Sequence, residues 1–234
     1  MISVVIPTLN EEKFVRMCLE SLKKQDYKGE YEIILVDGHS TDKTASIAKE
    51  YTDRVLLLPP KGPGMARNYG ATQAKYPVVA FIDADCLAPP NWLSRVEEDF
   101  RDPKLVGLGG VLRPQEGLAL DKVMFKVNSD WWVRLSAIFG IYQLYGNCCA
   151  YRKDKFFELK GFDTNVSFWE DTELSMRMKK IGKLHIDGGW WVETSTRRFR
   201  QMGYPKVFWV NLKAFVSFSL HRPIKTKYFQ EIEH

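Results

Sequence analysis

Compact apolar runs alternate with amphipathic stretches along the first 110 residues. Ser3–Ile6, Tyr31–Val36, Arg54–Leu58, Pro77–Ile82 and Leu105–Val111 are short and rich in β-branched residues, the pattern of strands buried in a parallel sheet. Between them, Glu11–Lys24 sets Phe14, Met17, Cys18 and Leu22 on one helical face. Thr41 or Asp42 is placed to cap a helix reaching Tyr51, Gly64–Lys75 follows a Gly/Pro turn, and Asn91–Phe100 stands behind Pro89-Pro90. This alternation predicts an α/β fold: a mostly parallel central sheet with helices on both faces.

The pattern then changes. Leu118–Tyr145 is rich in aromatic residues with scattered charges, among them Lys126, Asp130, Trp131, Trp132 and Arg134. Tyr142–Tyr151 reads as a strand, and Glu170–Ile181 as a helix with Leu174, Met178 and Ile181 inward. With no internal repeat and no obvious linker, the second half is expected to extend the same sheet.

Composition adds limits. The 234 residues are 45% hydrophobic and 27% charged, enough for one large core. Four cysteines without a C-x-x-C pair argue against a disulfide scaffold or a structural zinc site and for a reduced, cytosolic chain. The opening M-I-S-V-V-I-P-T predicts no cleaved signal peptide, and no apolar run is long enough for an ordinary membrane-spanning helix. Charge is unevenly spread: the chain has 34 basic and 29 acidic residues, yet 194–230 holds eight basic residues and no acidic one. That segment also carries large apolar residues from Phe199 to Leu220. The division expected is 1–195 as the catalytic domain and 196–234 as a basic, aromatic, amphipathic C-terminal segment of interfacial helices. Its partner is a membrane surface, with a helix packed on the core as the plainer alternative and nucleic acid disfavoured. Val207–Leu220 contains Lys213 and spans 14 residues. At ~1.5 Å per residue it falls short of ~30 Å of hydrocarbon, so any lipid contact lies in the interface.

Parallel α/β sheets bind ligands at the carboxyl ends of their strands. There the chain places Pro7-Thr8-Leu9-Asn10-Glu11, then Asp37-Gly38-His39-Ser40, then Asp83-Ala84-Asp85. Asp83 and Asp85 project to one side of an extended chain, where oxygen ligands suit Mg²⁺ or Mn²⁺ together with substrate phosphates. Taken alone, such a pair is more often a solvated turn. Asp37 either holds a base or ribose or caps the turn to Ser40. The loop Lys61–Asn68 offers backbone N–H groups and the Arg67 guanidinium to phosphate but lacks the G-K-[ST] of a P-loop. Glu170-Asp171 opens a helix, where acidity alone is favourable.

In this order, Val4–Glu11, Val36–Thr44, Ala66-Arg67-Asn68, Asp83-Ala84-Asp85, Gly146-Asn147, Gly161-Phe162-Asp163 and Glu170-Asp171 resemble the family 2 glycosyltransferases with a GT-A fold, over roughly residues 2–182. The resemblance implies inverting, divalent-metal-dependent transfer from a nucleotide-diphosphate sugar. It implies that Pro7, Thr8, Asn10 and Glu11 line the nucleoside pocket, that Asp37 holds the base or ribose, and that Arg67 lies near the diphosphate. Asp83 would meet the ribose or the metal, with Ala84 beside it at the nucleotide sugar, Asp85 would ligate the metal, and Asp171 would be the general base with Glu170 beside it. Arg197 or Arg198 of Thr196–Gln201 would meet the diphosphate, although the Gln-x-x-Arg-Trp motif of membrane-bound synthases is not matched there. Asp83–Pro90 is also similar to polyprenol-phosphate mannose synthases, which leans the donor towards GDP-mannose over UDP-glucose. A phosphate acceptor needs no base, so Glu170-Asp171 favours a hydroxyl on a lipid-linked or other glycan. The expected place of action is the cytoplasmic face of a membrane, as a peripheral protein or the soluble part of a longer one. A sugar-nucleotide pyrophosphorylase would need a glycine-rich signature after the first strand. A non-catalytic sugar-nucleotide or membrane-surface module stays open at this level.

Overall fold

A computed structural model describes residues 1–166 and 169–219, apart from the side chains of Arg198, Ala214, Phe218 and Ser219. Strands β1 (Ile2–Thr8), β2 (Tyr31–Asp37), β3 (Val55–Leu57), β4 (Val78–Ile82), β5 (Cys86–Leu87), β6 (Leu105–Pro114), β7 (Cys148–Arg152) and β8 (Lys183–Thr194) form one sheet in the order β3-β2-β1-β4-β7-β6-β8-β5. The first four positions in that order pair in parallel. β7 runs against both β4 and β6, β8 returns parallel to β6, and β5 closes antiparallel on β8.

Chain length forces this sheet to curl. Asp83–Asp85 alone joins β4 to β5, a reach of at most ~14 Å, yet β5 lies four strands away in the order, ~19 Å in a flat sheet. The short acidic link is therefore held between the central strand β4 and the edge strand β5 of a curled sheet.

Strands β1, β2 and β4 are buried on both faces, which is why they read as unbroken apolar runs. Val4, Ile6, Ile33, Leu35, Ala80 and Ile82 face one layer, packed by Leu19 and Leu22 of α1 (Val15–Lys23) and by Trp92 of α4 (Trp92–Asp99). Trp92 stacks on Trp190 at 5.1 Å. Val5, Ile34, Val36, Val79 and Phe81 face the other layer, with Phe156 of α7 (Lys153–Glu158), Phe162, and Leu174 and Met178 of α8 (Glu170–Met178). Helix α3 (Pro63–Gln73) starts with Pro63 behind Gly62, whose φ of +86° suits glycine. At Gly70 a Cβ would stand 2.4 Å from Val5 Cγ1, so glycine there lets α3 lie against the sheet.

Several expected boundaries move, each for a local reason. α1 begins at Val15, not Glu11, because the Glu11 and Glu12 N–H groups donate to Thr44 Oγ1 and Asp42 Oδ2 instead of starting a helix. Its buried face is Val15, Cys18, Leu19 and Leu22, and Met17 points to solvent. α2 (Thr44–Ala48) starts after Asp42, whose carboxylate accepts from the Thr44 N–H. The strand expected at Tyr142–Tyr151 is confined to β7, because the Leu144 and Gly146 N–H groups donate to Ser175 Oγ and Asp171 Oδ2 on α8.

Beyond these lie α5 (Ala119–Phe125), a π-helical turn (Lys126–Trp131), α6 (Trp132–Ile138), α9 (Arg197–Met202) and α10 (Tyr204–Ser219). α9 and α10 carry the described part of the expected C-terminal helices. Arg222, Lys225 and Lys227 lie outside the described residues. No described helix is long and apolar enough to cross a membrane.

Candidate active site

The carboxyl ends of β1 and β2 are stitched together. Asn10, at φ +53°, accepts from the Thr41 N–H at 2.9 Å and donates its own N–H to Ser40 Oγ at 2.8 Å. Thr8 accepts from the Gly38 N–H through its carbonyl. Pro7 pairs with Val36 and lies past the last β1–β4 pair, Val5–Phe81, so its missing N–H breaks no ladder with β4. Asp37, 1% exposed, accepts from the Ser40 N–H at 3.0 Å and hydroxyl at 2.5 Å. It therefore caps the turn, one of the two roles open to it, and it also borders an open cleft of about 380 Å³. His39, Ser40, Ala45, Lys49, Val55 and Leu57 complete the cleft wall.

β4 delivers the acidic link. Ala84 turns into the core, while Asp83 and Asp85 stand on the crevice side, half-buried. Arg67 on α3 joins this link to α8. Its guanidinium is 2.7 Å from Asp83 and 3.5 Å from Glu170, with the Phe162 ring at 5.6 Å. A Cβ at Gly146 would press on the same group. Burial works against the Arg67 charge, but Asp83 and Glu170 outweigh it and hold its pKa above the ordinary value. Arg67 is thus engaged by two carboxylates inside the wall instead of being presented to the open crevice.

Asp171 accepts from the Gly146 N–H at 3.1 Å and the Thr172 N–H at 2.7 Å. Burial raises its pKa against the pull of these donors and of Arg67. Burial and the neighbouring Asp171 raise that of Glu170, with Arg67 opposing. Burial of this kind favours a carboxylate that can take up a proton. Trp169, buried and left-handed at φ +63°, turns the chain into α8 and aims the pair. Asn68 fixes the adjoining loop, exchanging bonds of 2.8 and 2.9 Å with the Phe162 carbonyl and N–H.

Arg197, at the first turn of α9, closes the crevice. Its Nη2 is 2.6 Å from Glu11 and 3.7 Å from Asp85, and its guanidinium lies over Phe14 at 4.8 Å. The Arg198 side chain lies outside the described residues. The structure thus brings together Glu11, Asp85 and Arg197 on one side, and Asp83, Arg67, Glu170 and Asp171 on the other. Pro7, Thr8 and Asn10 shape the β1 end of the same crevice. His39 and Lys49 were not foreseen. His39 follows Asp37 closely enough to have been suspected, whereas Lys49 sits on an ordinary helix and gives no local signal.

The acidic link suits a hard cation. Asp83 and Asp85 supply only oxygen, the chemistry of Mg²⁺ or Mn²⁺ sites. Among the described residues no three His, Cys, Asp or Glu side chains are gathered to hold an ion unaided. Cys18 and Cys86 lie beneath, and burial, with Asp85 and Asp83 adding to it, pushes both thiols above their ordinary value.

Comparison with known proteins places the chain in a family. The family model described as Glycosyl transferase family 2 matches residues 3–156. A dolichyl N-acetyl-alpha-D-glucosaminyl phosphate 3-beta-D-2,3-diacetamido-2,3-dideoxy-beta-D-glucuronosyltransferase of Methanococcus voltae is 28% identical over 223 residues, covering 85% of this chain and 69% of that protein. TarS of Staphylococcus aureus, a poly(ribitol-phosphate) beta-N-acetylglucosaminyltransferase, is 34% identical over 135 residues, 53% of this chain and 23% of its own length. The structure of TarS 1-349 with UDP-GlcNAc aligns with a TM-score of 0.64 at 26% identity, covering 83% of this chain and 58% of that one. The mannosyltransferase PcManGT of Pyrobaculum calidifontis, solved with GDP-Man and Mn²⁺, aligns with a TM-score of 0.69 at 21% identity, covering 83% of this chain and 56% of that one. The chain belongs to glycosyl transferase family 2, and its fold is GT-A.

Proposed function

We propose that this family 2 glycosyltransferase inverts the sugar of a nucleotide-diphosphate donor as it passes it to a hydroxyl of a lipid-linked or other glycan acceptor at a membrane surface. The observation that carries the reading is the convergence of distant acids: Arg67 touches both Asp83 and Glu170, 87 positions apart, and Asp171 stands next in the chain. In this reading 1–195 is the catalytic domain and 196–234 the membrane-facing segment.

The nucleoside enters the cleft at Asp37, His39 and Lys49, at the ends of β1 and β2. Asp85 and Asp83 would hold a divalent cation, which would supply positive charge for the departing diphosphate. Arg197, already among carboxylates at the crevice mouth, is placed to exchange them for phosphate oxygens. Arg67 holds Asp83 and Glu170 in position. Asp171 then takes the proton of the acceptor hydroxyl as its oxygen bonds to the anomeric carbon. The bond from that carbon to the diphosphate oxygen breaks with its electron pair, and a single displacement inverts the centre. The Gly146 N–H donates to Asp171 Oδ2 and the Thr172 N–H to Oδ1, which fixes the carboxylate's orientation and leaves each oxygen a second lone pair for the proton.

Two donors are favoured by specific observations. The Asp83–Pro90 resemblance and the PcManGT neighbour point to GDP-mannose, and TarS with UDP-GlcNAc points to a UDP-sugar. The M. voltae relative, named for action on a dolichyl-linked sugar, supports a lipid-linked acceptor. A thermal-shift panel of GDP-mannose, UDP-glucose and UDP-GlcNAc with Mn²⁺ or Mg²⁺ tests the reading, because a ligand of the native state raises the melting point. One donor should raise it in a cation-dependent way, and Asp85→Asn should remove that dependence. A panel with no response contradicts the proposal.

A further inference from the structure

Sugar transfer makes no use of one face of the molecule, built by α5, the π-helical turn, α6 and α10. Trp131, Leu135, Ile138 and Phe139 recur at helical spacing and stand open, Ile138 at 80% and Phe139 at 72% exposure. On α10, Lys206, Trp209, Lys213 and Val216 fall on one exposed side, while Val207 and Val210 are buried behind them. Leu120 and Val123 on α5 are exposed beside Lys122.

These helices form one unit. Trp132 packs edge-on against Phe208 at 6.2 Å and Phe215 at 5.4 Å. Phe125 meets Phe199 at 4.5 Å. Buried Asp121 accepts from Arg200 at 2.8 Å and from the Tyr204 hydroxyl. The apolar stripes therefore belong to a folded surface, and water is a poor partner for them.

Charge identifies what covers them. Lysines interleave with the apolar positions: Lys206 and Lys213 alternate with Trp209 and Val216, Lys122 borders Val123, and Lys126 lies 5.9 Å from the Trp131 ring. Of the acids on these helices, Asp121 is buried under Arg200, and Asp130 is paired with Arg134. Glu116, ahead of α5, is the exposed acid at the edge. Centres of protein–protein interfaces are depleted in lysine. At a bilayer interface, lysine stems lie along apolar surface while their ammonium groups reach phosphate, and tryptophan sits at headgroup depth.

We propose that this face docks in the plane of an anionic lipid bilayer, with the α6 and α10 stripes at the boundary of headgroups and acyl chains. The inference deepens the proposed function, on whose membrane-borne acceptor it rests, and locates the contact. It also relates the contact to the crevice: on α9, Arg197 reaches Glu11 while Arg200 holds Asp121, so one short helix links the docked face to the catalytic site.

The test is flotation of the full chain with vesicles of phosphatidylcholine alone or mixed with phosphatidylglycerol. The chain should float with the anionic vesicles, less with the neutral ones, and less in high salt. Combined Ile138→Ser, Phe139→Ser and Trp209→Ser, all at exposed positions, should lower binding about tenfold or more. Lys122→Glu with Lys213→Glu, which leaves the apolar stripes whole, should abolish the preference for anionic vesicles. Melting with nucleotide sugar is recorded in solution for every variant and should match the parent. Failure of the parent to float, or equal flotation of the parent and both variants, overturns the docking face. So does an oligomer in solution that the serine substitutions dissociate without changing vesicle binding. A parent that floats but binds no donor overturns the proposed function and leaves the docking face standing.

Discussion

The crevice and the α5–α6–α10 face carry their charges in opposite ways. In the crevice, acids predominate, are half-buried, and are held by named partners: Arg67 between Asp83 and Glu170, Arg197 between Glu11 and Asp85. On the helical face, lysines predominate and stand in solvent among exposed aromatic and aliphatic side chains. The contrast teaches that one is organised before any ligand arrives and the other is organised by what covers it. Substitutions in the first should disturb stability and chemistry together, and those on the second should disturb neither in free solution.

The largest stability effect is expected at Arg67. Arg67→Met strands Asp83 and Glu170 beside an apolar side chain, and loss of one partner of a buried ion pair costs about 3–5 kcal/mol. Urea denaturation should show it, whereas Lys213→Glu should leave the midpoint unchanged. Equal effects at the two sites would erase the contrast. A smaller loss, about 1–3 kcal/mol, is expected for Gly70→Ala, because the new methyl meets Val5 at 2.4 Å and Val36 at 3.0 Å.

Legibility followed the same division. Of the first five strands expected, β1, β2, β4 and β6 were visible because they are buried, apolar runs, and the acids at the ends of β1, β2 and β4 fell where parallel sheets bind ligands. β8 escaped notice. Its run Lys183–Thr194 is interrupted by Asp187-Gly188-Gly189, which reads as a turn; in the sheet it lies at a register shift, with Asp187 accepting from the Gly189 N–H and pairing with Arg95. The helices between Leu118 and Phe139 gave no clear period because their exposed side is as apolar as their buried one. In the site, acids were legible by position. The engagement of Arg67 was not, since phosphate-facing and carboxylate-facing arginines look alike in a sequence.

The smallest effects concern pH. Arg200, then Tyr204, hold the Asp121 carboxyl down to about 2. A depressed folded value means that this anchor contributes above the ordinary carboxylate range, about 4, and is lost as pH falls towards about 2. Tryptophan fluorescence from Trp132 and Trp209 should change in that window, and Asp121→Asn should remove the change. Glu170 and Asp171 are shifted the other way, so the acid limb of the transfer rate should lie above the ordinary carboxylate value, where the base loses its proton.

The most direct test is Asp171→Asn, assayed for sugar transfer and for donor affinity on the same preparation. Transfer should fall by a factor on the order of 10²–10⁴, the usual contribution of a positioned base, while donor affinity stays within about twofold, since in the proposed reading Asp171 serves the acceptor. Transfer at the parent rate by Asp171→Asn would contradict the account.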